Sequence, residues 1–504
     1  MMIRILAIAL FVTSLAAGGR TVLGEHASHI DMHAVHGGAV ASAFALPTPA
    51  DTRTLLEGAV HNSEFVDVAA GDTRLRAYVS YPDRAEKAPV LVVTTGEGMS
   101  DFARAMAFQA SREGFIGIAT DNDPVYPAEA DRRRRVRQFA SGIAAANGTV
   151  ATVDVRDGRI SAAVNGAHVA TFALNDQGWA SALKRVSEET GNRFTPIPGM
   201  DHVAMEMRAE AAGQAAGGQA GRGAAQDQTG RGTAPGQPRQ APGLNNKPDD
   251  LPANWVMADK VANTTPRRSE WIDVPVPGTN AKVRTWVVYP DGTQKAGAVL
   301  VLAGASGMSD WIRSVADQLA KEGFIGLAID FSSGLGPNGG NYDSFRFMDE
   351  RMRATQTLGR DGTMARIKAV RDFAAKMPQS NGRTGSIGFC GGGTNSFTLA
   401  TEVPEHNASV TYYGAAPPAA ALAKINAPVL GFYGEDDVRI FSTVEPTRAE
   451  MKKLGKAYEG HTYPHATHSF LWMQDLGNNF EATADSWPRT IAFYRQHLAT
   501  PGSR

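Results

Sequence analysis

The chain has 504 residues, 43% of them hydrophobic and 20% charged, with one cysteine and a formal net charge of −1. That length allows more than one domain, and the apolar fraction suffices for buried cores, which excludes disorder of the whole chain. Near-equal basic and acidic totals, 50 against 51, leave no field to attract nucleic acid, and a lone thiol excludes internal disulfides and cysteine-rich zinc or iron–sulfur sites.

At the N-terminus, Met1 to Arg4 form a short basic start before a mostly apolar run from Ile5 to Ala17. Small residues then offer cleavage points near Ala16–Gly18 or after Gly24. The run is too short for a comfortable membrane span and predicts a signal peptide over 1–24, hence a secreted or periplasmic protein. No cysteine follows it to carry a lipid anchor, and no later stretch reaches about 18 apolar residues, so no membrane partner is expected after cleavage. His26, His29, His33 and His36 would share one face of a helix and could bind a metal weakly. A polar, mobile segment over 25–60 explains them more simply, and neither a metal site nor a cofactor is assigned. Arg132, Arg133, Arg134, Arg135 and Arg137 read as the solvated face of a helix.

Between Ala211 and Gly243, 24 of 33 residues are Gly, Ala or Gln, with no large aliphatic or aromatic residue. Such a stretch cannot offset its conformational entropy by burial, and a linker is expected over 211–265. The parts on either side are related. Gly98–Asp121 aligns without gaps to Gly307–Asp330 with 14 of 24 positions identical, including Gly-Met-Ser-Asp and Glu-Gly-Phe-Ile-Gly in both. Arg76-Ala-Tyr-Val-Ser-Tyr-Pro-Asp83 also mirrors Arg284-Thr-Trp-Val-Val-Tyr-Pro-Asp291. An internal duplication is therefore expected, with one copy over 61–210 and the other over 266–500.

In the second copy, Val283–Val288 and Ala298–Ala303 read as strands, Ser309–Glu322 as a helix, and Ile325–Ile329 as a buried parallel strand. Further strands are expected at Thr384–Phe389, Ser409–Tyr413 and Val429–Tyr433, with helices around 363–376, 445–454 and 485–498. This alternation predicts an α/β fold with a mostly parallel central sheet.

Cys390 lies in Gly388-Phe389-Cys390-Gly391-Gly392, after a strand and before a helix. That is the pattern of a nucleophile elbow with cysteine in place of serine, and a helix N-terminus favours the reactive thiolate. A buried, inert cysteine in a glycine-rich turn is the competing explanation. The apolar strand Val429–Gly434 ends at Glu435-Asp436-Asp437, where an acid can orient a histidine. His468 follows in a loop, completing the order nucleophile, acid, histidine of the α/β-hydrolases.

From Arg267 to about Leu498 the chain resembles the dienelactone hydrolase family of that superfamily. The matching stretches are Gly388–Gly392, Ala427–Asp437 and Tyr463–Phe470. The resemblance implies Cys390 as nucleophile, His468 as general base then acid, and Asp437 rather than Asp436 as its orienter. It implies backbone N–H groups of Gly391 and Ala305 as the oxyanion site, and a small-molecule ester or lactone as substrate. The family glutamate that helps to form the thiolate is replaced by Gly304, so activation rests on His468 and the helix or on another group. Trp472 stands where an arginine would bind an anionic substrate, which makes it a pocket residue suited to a neutral or aromatic ester.

In the first copy Arg156 and Asp157 align with the nucleophile and the elbow glycine, although His202 echoes His468. That copy is expected to be truncated and catalytically dead, with a role in packing, binding or capping. The whole reads as a secreted cysteine hydrolase, and the alternative is a non-catalytic binding protein built from two decayed copies.

Overall fold

The computed structural model describes residues 46–47, 52, 56, 62–70, 73–121, 129–194, 248–345 and 348–499. The expected signal, the N-terminal histidines, the linker between 211 and 247, and His202 lie outside the described residues.

The first sheet contains β1 (Ser63–Ala70), β2 (Thr73–Ser80), β3 (Ala88–Thr95), β4 (Ile116–Thr120), β5 (Ala146–Arg156), β6 (Arg159–Val164) and β7 (Ala167–Ala173), in the spatial order β1-β2-β4-β3-β5-β6-β7. The second contains β8 (Ser269–Pro275), β9 (Lys282–Val288), β10 (Ala296–Leu302), β11 (Ile325–Ile329), β12 (Ser380–Phe389), β13 (Ala408–Tyr412), β14 (Val429–Gly434) and β15 (Tyr458–Tyr463), in the order β8-β9-β11-β10-β12-β13-β14-β15. In it only β9 runs against the rest, since it pairs antiparallel with both neighbours while every other pairing is parallel. Apolar clusters cover both faces, one built around Val299, Val301 and Trp487 and the other around Leu300, Leu327 and Ile367. Two-sided burial is why these strands read as near-continuous apolar runs. The domain has the α/β-hydrolase fold.

The first five strands of the two sheets share order and direction. Both also interrupt their register at the same step, between Ala88 and Val90 in β3 and between Ala296 and Ala298 in β10. The repeated Glu-Gly-Phe-Ile-Gly has a packing reason in both. A Cβ on Gly117 would lie 1.8 Å from the Ala107 carbonyl oxygen, and one on Gly326 would lie 2.3 Å from that of Ala316. Each glycine lets a helix, Asp101–Arg112 or Asp310–Lys321, lie directly on its strand.

After the fifth strand the sheets part. β12 enters an elbow and the helix Gly391–Glu402, whereas β5 turns back through Asp157-Gly158 into β6. Both turn residues have positive φ, 49° and 68°, the geometry of a tight hairpin that Asp-Gly favours. Arg156 is thus paired with Arg159 in a hairpin instead of heading a helix.

The expected linker 211–265 ends too late. Residues 248–265 fold onto the second sheet, where Leu251 and Ala253 are fully buried and Trp311 Nε1 donates to the Ala253 carbonyl at 2.9 Å. Composition hid this because the segment buries a few spaced residues and shows no periodic run.

Candidate active site

At the end of β12 the chain must reverse sharply into the helix Gly391–Glu402. Cys390 makes that turn with φ 55° and ψ −123°, a conformation that costs a non-glycine residue energy and is held by its surroundings. Its N–H donates to the Tyr412 carbonyl at 3.1 Å, and its carbonyl accepts from Thr394 at 3.1 Å. The flanking glycines are demanded by space. A Cβ on Gly388 would sit 1.9 Å from the Gly392 carbonyl oxygen, and one on Gly392 would sit 2.0 Å from that of Leu302 at the end of β10.

Asp437 follows β14 and caps the helix Val438–Lys453, its Oδ1 accepting from Ile440 N–H at 3.4 Å. Its Oδ2 lies 2.5 Å from His468 Nδ1. Both side chains are essentially inaccessible, at 1% and 0% exposure. Neighbouring Asp436 instead faces His465 at 4.0 Å. The opposite ring nitrogen, His468 Nε2, is buried and has no hydrogen-bond partner among the described residues. The imidazole is thus oriented at one nitrogen and available at the other.

Electrostatics couple the histidine to the thiol. Burial pushes the Cys390 thiol up, but His468 outweighs it with help from Arg439 and the Gly391 N–H, and the thiol falls below its ordinary value to about 7. For His468, burial favours the neutral ring, while Asp437 and Cys390 raise it to about 10. Both shifts favour the charged forms, a thiolate beside an imidazolium.

Gly304, which opens the turn after β10, is packed against the elbow. A Cβ there would meet both Cys390 Cβ and the Phe389 carbonyl oxygen at 2.8 Å. No larger residue fits without moving the cysteine, and the following residue, Ala305, is held by Arg351, whose Nη2 donates to its carbonyl at 3.1 Å. Gly304→Ala should therefore cost about 1–3 kcal/mol of stability through overpacking, read as a lower denaturant midpoint, and should displace Cys390. Trp472 packs in an aromatic group with Trp311, their ring centroids 6.4 Å apart, and Trp311 in turn lies 4.7 Å from Phe389 beside the cysteine.

Residues 283–498 match the model of the Dienelactone hydrolase family. They form a dienelactone hydrolase family domain. With the family comes the enzyme class, a hydrolase of carboxylic esters or lactones. The chain is 28% identical over 246 residues to a Saccharolobus solfataricus protein named "Putative carboxymethylenebutenolidase", covering 43% of this chain and 95% of that one. It is 29% identical over 244 residues to a Bradyrhizobium protein named "Probable 2-oxo-3-(5-oxofuran-2-ylidene)propanoate lactonase", covering 45% and 94%. Among solved structures, the dienelactone hydrolase of Anabaena variabilis is similar at 20% identity and a TM-score of 0.36, with 46% of this chain and 99% of that one covered.

Several neighbours of the site lie outside the stretches that resemble the hydrolase motifs. Tyr413 has φ 41°, a ring centroid 5.0 Å from that of His468, and a buried hydroxyl with no partner among the described residues. Arg439 approaches the sulfur, its Nη2 3.9 Å from Cys390 Sγ. Asp83, from the first domain, has its carboxyl pushed up to about 7 by burial, with His468 pulling it down and Asp437 pushing it up. The repeated Tyr-Pro-Asp was its one sequence signal, and that signal did not discriminate, because the matching Asp291 side chain is 85% exposed.

Proposed function

We propose that the chain is a secreted hydrolase that cleaves a neutral or aromatic ester or lactone through a thioacyl-enzyme on Cys390. The observation that carries this is the strained elbow cysteine coupled to a buried histidine whose far nitrogen is held by Asp437. The thiolate attacks the carbonyl carbon, and the oxyanion is held by the N–H groups of Gly391 and Ala305. The tetrahedral intermediate collapses, and the His468 imidazolium gives its proton to the leaving alkoxide. The neutral imidazole then takes a proton from water, whose oxygen attacks the thioester and releases the acid and the thiolate.

Trp472 would face the substrate with an apolar ring, which suits an uncharged acyl or alkoxy group better than a carboxylate. Rapid quenching with a small activated ester, followed by mass analysis, should find the acyl group on the Cys390 peptide. Acylation elsewhere, or none despite turnover, would contradict the mechanism.

The pH profile gives a second check. The lowered thiol populates the ion pair from about pH 7 upward, and the raised histidine keeps its proton until about pH 10. kcat/KM for a non-ionising ester should therefore rise through about 7 and fall near 10, both limbs belonging to the coupled pair.

Secretion rests on the basic start and apolar run of residues 1–17, and N-terminal sequencing of the exported protein tests it. The shared strand order, the common register break and the repeated glycine contacts support an origin by duplication, after which the first copy lost its elbow.

A further inference from the structure

The loop that carries Asp437 also carries the contact between the two domains. Val438 follows it directly, is 1% exposed and joins the apolar cluster of the first sheet with Val79, Tyr81 and Ile118. Arg84 and Asp437 pair as an isolated parallel bridge. One residue further on, Arg439 meets both domains. Its Nη1 lies 3.7 Å from Glu64 Oε2, its guanidinium carbon 5.1 Å from the centroid of the Tyr81 ring, and its Nη2 3.9 Å from Cys390 Sγ. The Tyr81 hydroxyl donates to Glu64 Oε1 at 2.8 Å and so fixes the carboxylate. Arg439 Nε is buried without a hydrogen-bond partner among the described residues.

We propose that the N-terminal domain, without a nucleophile of its own, completes the neighbouring active site by using Glu64 and Tyr81 to hold Arg439 against the Cys390 thiolate. This rests on Cys390 being the nucleophile and adds the source of part of its charge stabilisation. An unanchored arginine extends its flexible stem and carries its charge into water. Here a carboxylate and an aromatic face hold the planar guanidinium from the first domain's side, which leaves Nη2 to the sulfur. A fixed positive charge at this distance, out of bulk water, favours the anionic form of its neighbour, and arginine cannot lose that charge. Glu64 opposes the effect by its own negative charge, so its contribution is positional. The other ionisable groups coupled to the thiol are His468 and Tyr413 from its own domain, while Asp437 and Tyr81 act on Arg439 and Asp83 acts on His468.

Because the chain has one cysteine, the rate of alkylation by iodoacetamide as a function of pH reports Cys390 alone. Arg439→Gln in the full chain should raise the apparent thiol pKa by about one unit, so that alkylation at pH 6 slows about tenfold. Arg439→Lys should recover part of the loss. Glu64→Gln and Tyr81→Phe should shift the thiol in the same upward direction by less. An unchanged titration in Arg439→Gln overturns the proposal, as does a downward shift in Glu64→Gln, which would make Glu64 merely an opposing charge. Should Arg439→Gln fail to fold, Glu64→Gln still decides, since that side chain is 41% exposed and its replacement leaves the core intact. A hydrolase still active as Cys390→Ala would remove the nucleophile assignment while leaving the thiol titration and its dependence on Arg439 intact.

Discussion

Replacing Cys390 by alanine is expected to lower kcat for a small activated ester by about 10⁵–10⁶-fold, leaving little beyond what the oxyanion site and binding supply. The size follows from the mechanism, because without sulfur there is no acyl-enzyme and both half-reactions lose their shared intermediate. Folding should survive, since alanine removes one partly covered atom from a turn secured by backbone hydrogen bonds to Tyr412 and Thr394. Cys390→Ala thus separates a dead site from a damaged fold, and unchanged thermal unfolding alongside lost turnover is the expected pair of results. Arg156→Ala, at the aligned place in the first domain, should leave turnover unaltered, because Arg156 sits in a hairpin and is ion-paired with Asp154 at 3.0 Å. Full turnover in Cys390→Ala would end the cysteine mechanism.

Asp437→Asn should cost about 10⁴-fold in kcat while keeping the shape of the site. Asp437 now binds the Nδ1 side of His468 through Oδ2, leaving Nε2 toward the reaction. An amide in its place can donate instead of accept, which turns the ring to the tautomer with its proton on the wrong nitrogen. It also removes the charge that most raises His468, so the imidazolium becomes a stronger acid and the thiolate loses part of its partner. The acidic limb of the pH profile should accordingly move upward in the same variant. A loss in kcat with no shift of that limb would mean that Asp437 acts by shape alone.

The elbow was legible because its requirements are local. A strand, a Gly-x-Cys-x-Gly turn and a helix are neighbours in the chain, and the glycines are forced by contacts within that turn and with the end of β10. The acid and the histidine were legible by order, since strand ends in a parallel sheet fall at one edge. Arg439 was not. It reads as one arginine in a helix, and its role depends on Glu64 and Tyr81 in the other domain. Asp83 and Asp291 occupy the same motif, yet one lies beside His468 and the other in solvent, a difference that no local pattern encodes.

By itself, the chain's order of residues pointed to the α/β class, to a run of identical residues shared by the two halves, and to the three residues of the proposed chemistry. These follow from periodicity, repetition and local turn geometry. Only the tertiary structure decided that Gly304 leaves no room for a side chain beside Cys390, that the first sheet closes in hairpins where the second builds an elbow, and that the acid loop is seated in the other domain. The reason is physical. Close approach and charge pairing depend on which surfaces meet after folding, and segments far apart in sequence carry no mark of the distance that will separate them.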